Sequence, residues 1–282
     1  MKRALTALVL GCVGSGVAAF AAGGQEPPAR VTLTRLDCGA TKEPRDVAIF
    51  SDTSAYEGVK KSLVASCYLI RHGDDLMLWD TGYPAATKTD PKSPIAMRST
   101  VVEQLRALGV APAQVARLGI SHHHGDHIGQ TRDFPGATLL IGQGDWAALT
   151  ATPAATGFGA PDPVPVAHWI SGGGKVEQVR GDLDVFGDGS VVMLDTPGHT
   201  PGHHSLLVKL KGRGPVLLTG DLAHFQENYD TGGLPSFNTN RADTIASLDR
   251  FKTMARNLKA TVIIQHDPRD VAKLPPFPAA AD

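Results

Sequence analysis

The tract Ser121-His-His-His-Gly-Asp-His127 constrains this chain more than any other stretch of its sequence. Read as His-x-His-x-Asp-His, it puts three imidazoles and one carboxylate within six positions. Such groups are costly to bury together without a cation, and their nitrogen and oxygen atoms suit Zn²⁺ or a similar divalent metal. Because side chains in so tight a loop alternate in direction, we expect two metals. His122 and His124 would face one, and Asp126 and His127 the other.

Three further candidate ligands lie downstream, each just beyond a short apolar run that predicts a buried strand. They are His199, Asp221 and His266. Since strand ends can present loop residues to a common point, we predict that these three join the histidine tract. Three histidines would then hold one metal, two histidines and a carboxylate the other, and Asp221 would bridge both. An adventitious histidine-rich metal binder is the alternative, but it does not account for three residues at separate strand ends.

These seven residues resemble the signature of the metallo-β-lactamase superfamily, and the nearest likeness is to its N-acyl homoserine lactone hydrolases. The likeness runs from about Val31 to His266. It implies an α/β fold, the four-layer αβ/βα sandwich, with the site at one edge between two sheets. It also implies a hydrolase that uses two Zn²⁺ or similar divalent ions on a small-molecule substrate. The residues that carry the likeness are His122, His124, Asp126, His127, His199, Asp221 and His266.

The chemistry that the resemblance implies is attack on a lactone carbonyl by hydroxide formed at the metals. A divalent metal can lower the pKa of bound water from about 16 to about 7, so no serine or cysteine nucleophile is required. One metal would polarise the carbonyl oxygen, and the other would receive the leaving alkoxide. In related enzymes the residue that matches Asp126 is both a ligand and a candidate proton shuttle. N-acyl homoserine lactones are the expected lactone substrates.

One residue departs from the lactonase pattern. That group commonly has a tyrosine three residues after the bridging aspartate, and the tyrosine donates a hydrogen bond to the substrate carbonyl. This chain has His224 at that position, followed by the expected Glu227-Asn228. Imidazole can also donate a hydrogen bond, so we predict a catalytic role for His224. The alternatives are a different substrate and a packing role.

Other functions of the same superfamily fit these residues less well than a lactonase does. Metallo-β-lactamases usually have Cys or Ser where this chain has Asp221. Thioesterases of the glyoxalase II group carry an extra carboxy-terminal domain, which we do not expect here. Phosphotriester hydrolysis uses similar metals and stays open. A metal-storage protein would need no bridging carboxylate. The formal net charge of −1 gives no support to nucleic-acid binding.

The first residues predict an export signal. Lys2 and Arg3 precede an uncharged apolar stretch that ends in Ala19-Phe-Ala21, a typical cleavage site. We therefore expect a signal peptide over 1–21, one hydrolase domain over 22–282, and a periplasmic or secreted protein without stable membrane insertion. An oxidising compartment permits a disulfide between Cys38 and Cys67, but two buried thiols remain the alternative.

The apolar patterns also predict individual elements. Strands are expected at 31–36, 66–70, 76–79, 116–120, 191–194, 205–210, 216–218 and 261–264. A capping box, Thr100-Val-Val-Glu103, predicts a helix to about residue 108. A second helix is expected over about 243–258, with Ile245 on its apolar face. Residues 150–175 show no period and are expected to form a loop. Asp80 ends a strand and is expected to accept a hydrogen bond from a ligand imidazole.

Overall fold

A computed structural model of the chain describes residues 29–282. The predicted signal peptide lies outside the described residues, so the cleavage site and the domain start at residue 22 stay predictions. The described strands are, in chain order, β1 (Val31–Thr41), β2 (Arg45–Asp46), β3 (Lys60–Lys61), β4 (Val64–His72), β5 (Asp75–Trp79), β6 (Ile95–Ala96), β7 (Arg117–Ile120), β8 (Thr138–Gly142), β9 (Val176–Val179), β10 (Leu183–Asp184), β11 (Val191–Asp195), β12 (His204–Leu210), β13 (Gly214–Leu218), β14 (Thr261–Ile263) and β15 (Ala280–Ala281). The described α-helices are α1 (Val101–Ala107), α2 (Gly125–Ile128), α3 (Gln143–Leu149), α4 (Ala167–Ile170), α5 (Gln226–Thr231), α6 (Arg241–Leu258) and α7 (Pro268–Val271).

Two large sheets form the centre of the fold. The first sheet has the order β15-β1-β4-β5-β7-β8-β9, with β6 beside β1, and its strands from β5 to β9 are parallel. The second sheet has the order β10-β11-β12-β13-β14 and is antiparallel except for the pair β13–β14. Parallel strands with both faces covered appear in sequence as short apolar runs, which is why most of them were predicted.

Three apolar cores separate four layers. Along β5 the side chains alternate between the two faces of the first sheet: Leu76 and Leu78 pack toward the outer helices, while Met77 and Trp79 pack toward the second sheet. The third core lies between the second sheet and α6, where Phe251 is buried. The order helix, sheet, sheet, helix confirms the predicted αβ/βα sandwich.

The two predicted helices form, with one correction. The Thr100–Glu103 capping box is present at the start of α1, and Asn240 caps α6. The buried face of α6 consists of Thr244, Ser247, Leu248, Phe251 and Ala255, and it does not include Ile245. Ile245 is 44% exposed, so its predicted place on that face is wrong. The 3.6-residue period centres the stripe on residues 244, 248, 251 and 255, and small polar residues complete it.

The predicted loop at 150–175 is only partly a loop. Residues 150–163 have no helix or strand, but a 3₁₀ turn at Val164–Val166 leads directly into α4. Trp169 of α4 is buried, and its indole N–H donates to the Ala137 carbonyl at 3.2 Å. The strand β8 and the helix α3, over residues 138–149, were not predicted from the sequence. Within residues 29–282, no helix is both long and apolar enough to cross a bilayer.

Cys38 and Cys67 form a disulfide between the adjacent strands β1 and β4. Their Cα atoms are 6.0 Å apart, a usual separation for such a bond. The structure thus decides between the two alternatives that the sequence left open. Gly82 packs directly against this bridge: a Cβ on Gly82 would lie 2.4 Å from the Cβ of Cys38, and its φ is +67°. Gly82 belongs to the turn that follows β5 toward the candidate site.

Candidate metal centre

The seven candidate ligands lie together at one edge of the sandwich, between the two sheets. Each is carried by a loop that follows the carboxyl end of a strand. The histidine tract follows β7, His199 follows β11, Asp221 follows β13, and His266 follows β14. Because the second and third of these strands are neighbours of β12 and the fourth pairs with β13, the loops converge although their residues are far apart in sequence.

Four of the residues form a first cluster: His122, His124, His199 and Asp221, whose ligand atoms all lie within 4.8 Å of one another. The inward nitrogens are Nε2 of His122, Nδ1 of His124 and Nε2 of His199. His124 Nδ1 is 3.0 Å from each of the other two. The Oδ2 atom of Asp221 is 3.5 Å from His122 Nε2 and 3.4 Å from His199 Nε2.

The other three form a second cluster: Asp126, His127 and His266, again within 4.8 Å. The Nε2 atoms of His127 and His266 are 3.2 Å apart. The Asp126 carboxylate lies 4.0 Å from His127 Nε2 and 3.8 Å from His266 Nε2. Its side chain is 26% exposed, more than that of Asp221, the other carboxylate of the seven. The structure therefore brings together the two groups that the sequence predicted, and their role as ligands is taken up as a proposal below.

Asp221 lies between the clusters and faces both. Its Oδ1 atom is 3.1 Å from His127 Nε2 and 2.9 Å from His266 Nε2, whereas Oδ2 faces the first cluster. Oδ1 is buried and has no hydrogen-bond donor among the described residues. A buried carboxylate oxygen without a donor is costly unless a cation meets it. With one oxygen toward each cluster, the Asp221 carboxylate is placed to bridge two cations.

A tight turn presents Asp221 to the site. Gly220 has a φ of +58°, and a Cβ there would lie 2.5 Å from His203 Nε2. The His203 imidazole donates from Nδ1 to the Thr196 carbonyl at 3.0 Å and accepts the Asp221 backbone N–H at Nε2, at 2.9 Å. Burial lowers the pKa of His203 to about 4, so the ring is neutral and Nε2 can accept. Only glycine fits between this ring and the turn.

Outward hydrogen bonds set the orientation of the imidazoles. The Nδ1 atom of His199 donates to Asn238 Oδ1 at 2.8 Å, and that of His266 donates to the Val64 carbonyl at 2.6 Å. His122 Nδ1 lies 3.1 Å from the Ser121 hydroxyl. A neutral imidazole that donates from one nitrogen presents a lone pair at the other, which is the arrangement found in metal-binding histidines.

Asp80 orients an imidazole of the second cluster in the same way, through a hydrogen bond to its outward nitrogen. Its Oδ2 atom accepts the His127 Nδ1–H at 2.9 Å and the Ser121 hydroxyl at 2.9 Å, and its Oδ1 accepts the Ser121 backbone N–H at 2.7 Å. The hydrogen bond to a ligand imidazole was predicted from the sequence. Asp80 has a φ of +58°, a conformation that Asp and Asn adopt more readily than other side chains do.

The ionisation of the site follows from burial and from Asp221. Burial lowers the pKa of His122 and His199 well below the usual value, which keeps both rings neutral. Burial alone would lower the pKa of His127, but the Asp221 carboxylate raises it well above the usual value. Burial would raise the pKa of Asp221, but the imidazoles around it, His266 first, hold it well below its usual range. The centre of the site thus favours positive charge beside Asp221.

The residues fit a pair of divalent cations. The inward nitrogens of the first-cluster histidines are about 3 Å apart. Lone pairs that face one another at this distance repel unless a cation lies between them. Five imidazoles and two carboxylates without any thiolate are the donor set of Zn²⁺ or a similar borderline metal. The site is therefore a metal-binding group, and the seven residues would divide into the two clusters with Asp221 shared.

His224 lies on the first-cluster side, within the wall of a cavity. Its Nε2 atom is 3.0 Å from Asp221 Oδ2, and its ring is edge-on to Phe50, with centroids 4.6 Å apart. The other nitrogen, Nδ1, is buried without a partner among the described residues. The ring lines the same cavity as Asp126 and His266, and its catalytic role stays a prediction.

The cavity has a volume of about 520 Å³. Its floor includes residues of both clusters, and one wall is apolar. Phe158 and Phe237 meet there edge to face, with ring centroids 5.3 Å apart, and Phe50 stands 5.6 Å from Phe237. Phe158 is 79% exposed, so it forms part of the rim. The segment 150–163 thus borders the site through residues 158–160 and 162.

Several residues around the site were missed in the sequence. Asn238 bonds His199, and Tyr83 lines the cavity; burial and the Asp126 carboxylate raise the pKa of Tyr83. Asp145 is fully buried and joins the histidine tract to the His199 loop through the backbone N–H groups of His123 and Gly202. No local pattern marks these residues, because their partners come from distant segments.

Comparison with known proteins agrees with this architecture. The chain matches the family model described as the metallo-beta-lactamase superfamily over residues 62–266. An N-acyl homoserine lactonase, AttM, from Rhizobium radiobacter is 32% identical over 228 residues, which cover 71% of this chain and 81% of the relative.

Two solved structures extend the comparison of the fold. One is an N-acyl homoserine lactone hydrolase with the product N-hexanoyl-L-homoserine bound at its catalytic metal centre; it has a TM-score of 0.74 and 22% identity over 90% of this chain and 100% of that one. The other is AidC, a dizinc quorum-quenching lactonase in complex with a product, with a TM-score of 0.64 and 18% identity over 90% of each chain.

Fold and site together define a hydrolase built around a shared metal-binding group. More particularly, the chain belongs to the metallo-β-lactamase superfamily, and it is a lactonase-like member of it.

Proposed function

We propose that this chain is an exported hydrolase that holds two Zn²⁺ ions and opens the ring of N-acyl homoserine lactones. The observation that carries the proposal is the Asp221 carboxylate, whose two oxygens face two separate histidine clusters on the floor of one cavity. A carboxylate shared in this way is suited to two neighbouring metals, and such pairs serve hydrolysis by holding both the attacking and the leaving oxygen.

The shape of the cavity supports the substrate class. An acyl homoserine lactone has a polar ring and amide at one end and an apolar chain at the other. In a volume of about 520 Å³ the clusters offer polar groups on the floor, and Ile49, Phe50, Phe158 and Phe237 offer an apolar wall. A ring ester placed over Asp221 would therefore leave its acyl chain along the wall, where apolar burial stabilises it.

The names of the relatives agree with this assignment. The AttM relative is an N-acyl homoserine lactonase, and one structural neighbour holds a ring-opened N-acyl homoserine at its metal centre. Another neighbour is a dizinc lactonase. Together with the histidine and aspartate donors of this chain, these names favour zinc as the native metal and a lactone as the substrate.

Each group of the chain has a defined task in this proposal. His122, His124 and His199 would hold one cation, Asp126, His127 and His266 the other, and Asp221 both. When bound, the cations supply Lewis acidity and a nucleophile at neutral pH. Asp126 is the more exposed of the two carboxylates of the centre, so it is placed to carry a proton to the oxygen that leaves the ring.

His224 would orient the substrate carbonyl through a hydrogen bond from its ring. Removal of one such donor typically lowers kcat by about 10²-fold or more. We expect His224→Phe to lose that factor in kcat with little change in bound metal, and His224→Tyr to recover most of it. Steady-state kinetics with metal analysis would measure both. Equal rates for the wild type and the phenylalanine variant would remove His224 from the mechanism.

Export is the cellular part of the proposal. It is supported by the sequence of residues 1–21 and by the Cys38–Cys67 disulfide, a bond that persists in oxidising compartments and is rare in the cytosol. Fractionation of cells that express the full chain should place a protein cut after Ala21 in the periplasm or medium. A full-length protein in the cytosolic fraction would contradict export and leave the proposed chemistry intact.

The decisive test is a substrate panel with the purified, zinc-loaded protein. We expect two zinc ions per chain and ring opening of acyl homoserine lactones, measured by proton release, at rates well above those for nitrocefin, a thioester and a phosphotriester. Chelator-treated protein should lose the activity and regain it with zinc. The Asp221→Ser variant should lose metal and rate together. Nitrocefin turnover far above lactone turnover would overturn the assignment.

A further inference from the structure

Gln265 immediately precedes His266 and is fully buried between the two sheets. A buried amide at the end of an apolar strand is costly unless its hydrogen bonds are satisfied. Here all of them are. The oxygen Oε1 accepts the Trp79 indole N–H at 3.1 Å and the Gly220 backbone N–H at 3.0 Å. The nitrogen Nε2 donates to the Ser66 carbonyl at 3.2 Å and to Asp80 Oδ2 at 3.0 Å.

The four partners leave only one way to orient the amide. Both contacts of Oε1 are with N–H groups, and both contacts of Nε2 are with oxygens that only accept. No other side chain offers this combination at the same length. An apolar residue would leave the Trp79 and Gly220 N–H groups buried without an acceptor, and Glu would set a second carboxylate oxygen against Asp80.

Two of these four contacts, with Gly220 and with Asp80, lead to a proposed metal ligand within one step. Gly220 is the residue before Asp221, so its N–H holds the turn that presents the bridging carboxylate. Asp80 accepts the Nδ1–H of His127. Gln265 itself is covalently joined to His266. The ligands connected in this way are the bridge and both histidines of the second cluster. They follow β7, β13 and β14 of two different sheets, and Asp80 follows β5.

We infer that Gln265 is a positioning residue that fixes the second metal position relative to the bridging carboxylate by tying the Asp80 turn, the Gly220 turn and His266 into one hydrogen-bonded unit. The inference rests on the proposed two-metal centre. It requires that loss of the amide weakens the binding of one of the two metals more than that of the other. The three histidines of the first cluster form no direct hydrogen bond with Gln265, Asp80 or Gly220, because their bonds go to Ser121, Asn238 and one another.

Gln104 offers a matched control. It is also buried, at 5% exposure, and its amide also joins two elements: Oε1 accepts the Asp37 N–H at 2.8 Å, and Nε2 donates to the Asp37 carbonyl at 2.7 Å. It contacts no proposed ligand. Gln265→Met and Gln104→Met therefore both remove a buried amide of the same size, and only the first removes one that is linked to the metal centre.

The experiment measures the two zinc dissociation constants of each protein by competition with a chelator, beside the thermal unfolding of the metal-free forms. We expect both variants to unfold at lower temperature than the wild type. In Gln265→Met one zinc Kd should rise about 10- to 100-fold, the usual effect of losing a partner that orients metal ligands. In Gln104→Met both constants should stay within about twofold of the wild type. Cobalt-substituted Gln265→Met should show an altered visible spectrum, which lost stability alone does not produce.

A second variant keeps the inference testable if Gln265→Met does not fold. Gln265→Glu keeps the length and an oxygen toward Trp79 and Gly220 but removes the donor to Asp80, and it should also weaken one metal. Wild-type Kd values in either folded Gln265 variant would overturn the inference. A wild type that binds two metals but opens no lactone would refute the proposed substrate while these constants still decide the role of Gln265. A wild type that binds no metal pair would refute both.

Discussion

Asp80→Asn isolates the charge that supports the second cluster. The Asp80 carboxylate is 1% exposed and accepts four hydrogen bonds, from the Ser121 N–H and hydroxyl, His127 Nδ1 and Gln265 Nε2. Asparagine has the same shape and tolerates the φ of +58° at this position, so the backbone is not strained by the change. What changes is the charge and the capacity to accept, because one oxygen becomes an NH₂ group.

The size of the effect follows from these four bonds. If the asparagine oxygen takes the place of Oδ2, it keeps three of them, but the NH₂ group then faces the Ser121 N–H, and that bond is lost. A hydrogen bond to a charged group contributes about 1.5–3 kcal/mol, and the remaining bonds weaken once the acceptor is neutral. We expect the free energy of unfolding of the metal-free protein to fall by about 2–4 kcal/mol. We also expect one zinc Kd to rise about 10- to 100-fold.

The assay is urea unfolding of the metal-free and zinc-loaded forms, since the difference between them reports the metal affinity. Asp270→Asn is the matched control. Asp270 is equally buried and accepts the Ile264 N–H at 3.0 Å, but it contacts no proposed ligand side chain. That variant should lose stability in both forms by a similar amount. An Asp80→Asn protein that keeps wild-type zinc binding would refute the argument that Asp80 orients His127.

Three further predictions concern stability and specificity. Reduction of the Cys38–Cys67 disulfide, which closes a loop of 29 residues, should lower the free energy of unfolding by about 3.5 kcal/mol, and denaturation with and without reductant measures it. Phe237→Ala should raise the KM for long-chain acyl lactones about tenfold and leave short-chain values nearly unchanged, because the lost apolar contact is made only by the distal chain; equal effects on both would contradict the proposed wall. The ion pairs of Glu227, with Arg269 first, lower its pKa from 4.5 to about 2. Its contribution to stability is present above pH 4.5 and is lost as the pH falls toward 2, so the difference in unfolding midpoint between the wild type and Glu227→Gln should shrink over that range.

The sequence predicted the parts of this protein that have a local signature. Short apolar runs correctly indicated β5, β7, β11, β12, β13 and β14, since strands buried on both faces need uninterrupted apolar residues. The capping box at Thr100 gave the start of α1. Ile245 was misplaced because the period of α6 is defined by its buried small residues as well as by its large ones. The disulfide was left open because pairing depends on the distance between strands.

The histidine tract and the three strand-end residues by themselves determined the type of centre, because ligand chemistry and spacing are written into adjacent positions. What only the tertiary structure decided is how those ligands are oriented. Asp80 and Gln265 are 185 residues apart, and Gln265 and Ser66 are 199 apart, yet they share one buried hydrogen-bond network. A buried amide or carboxylate is stable only beside its partners, and those partners meet only when the two sheets pack, so no local pattern reveals them.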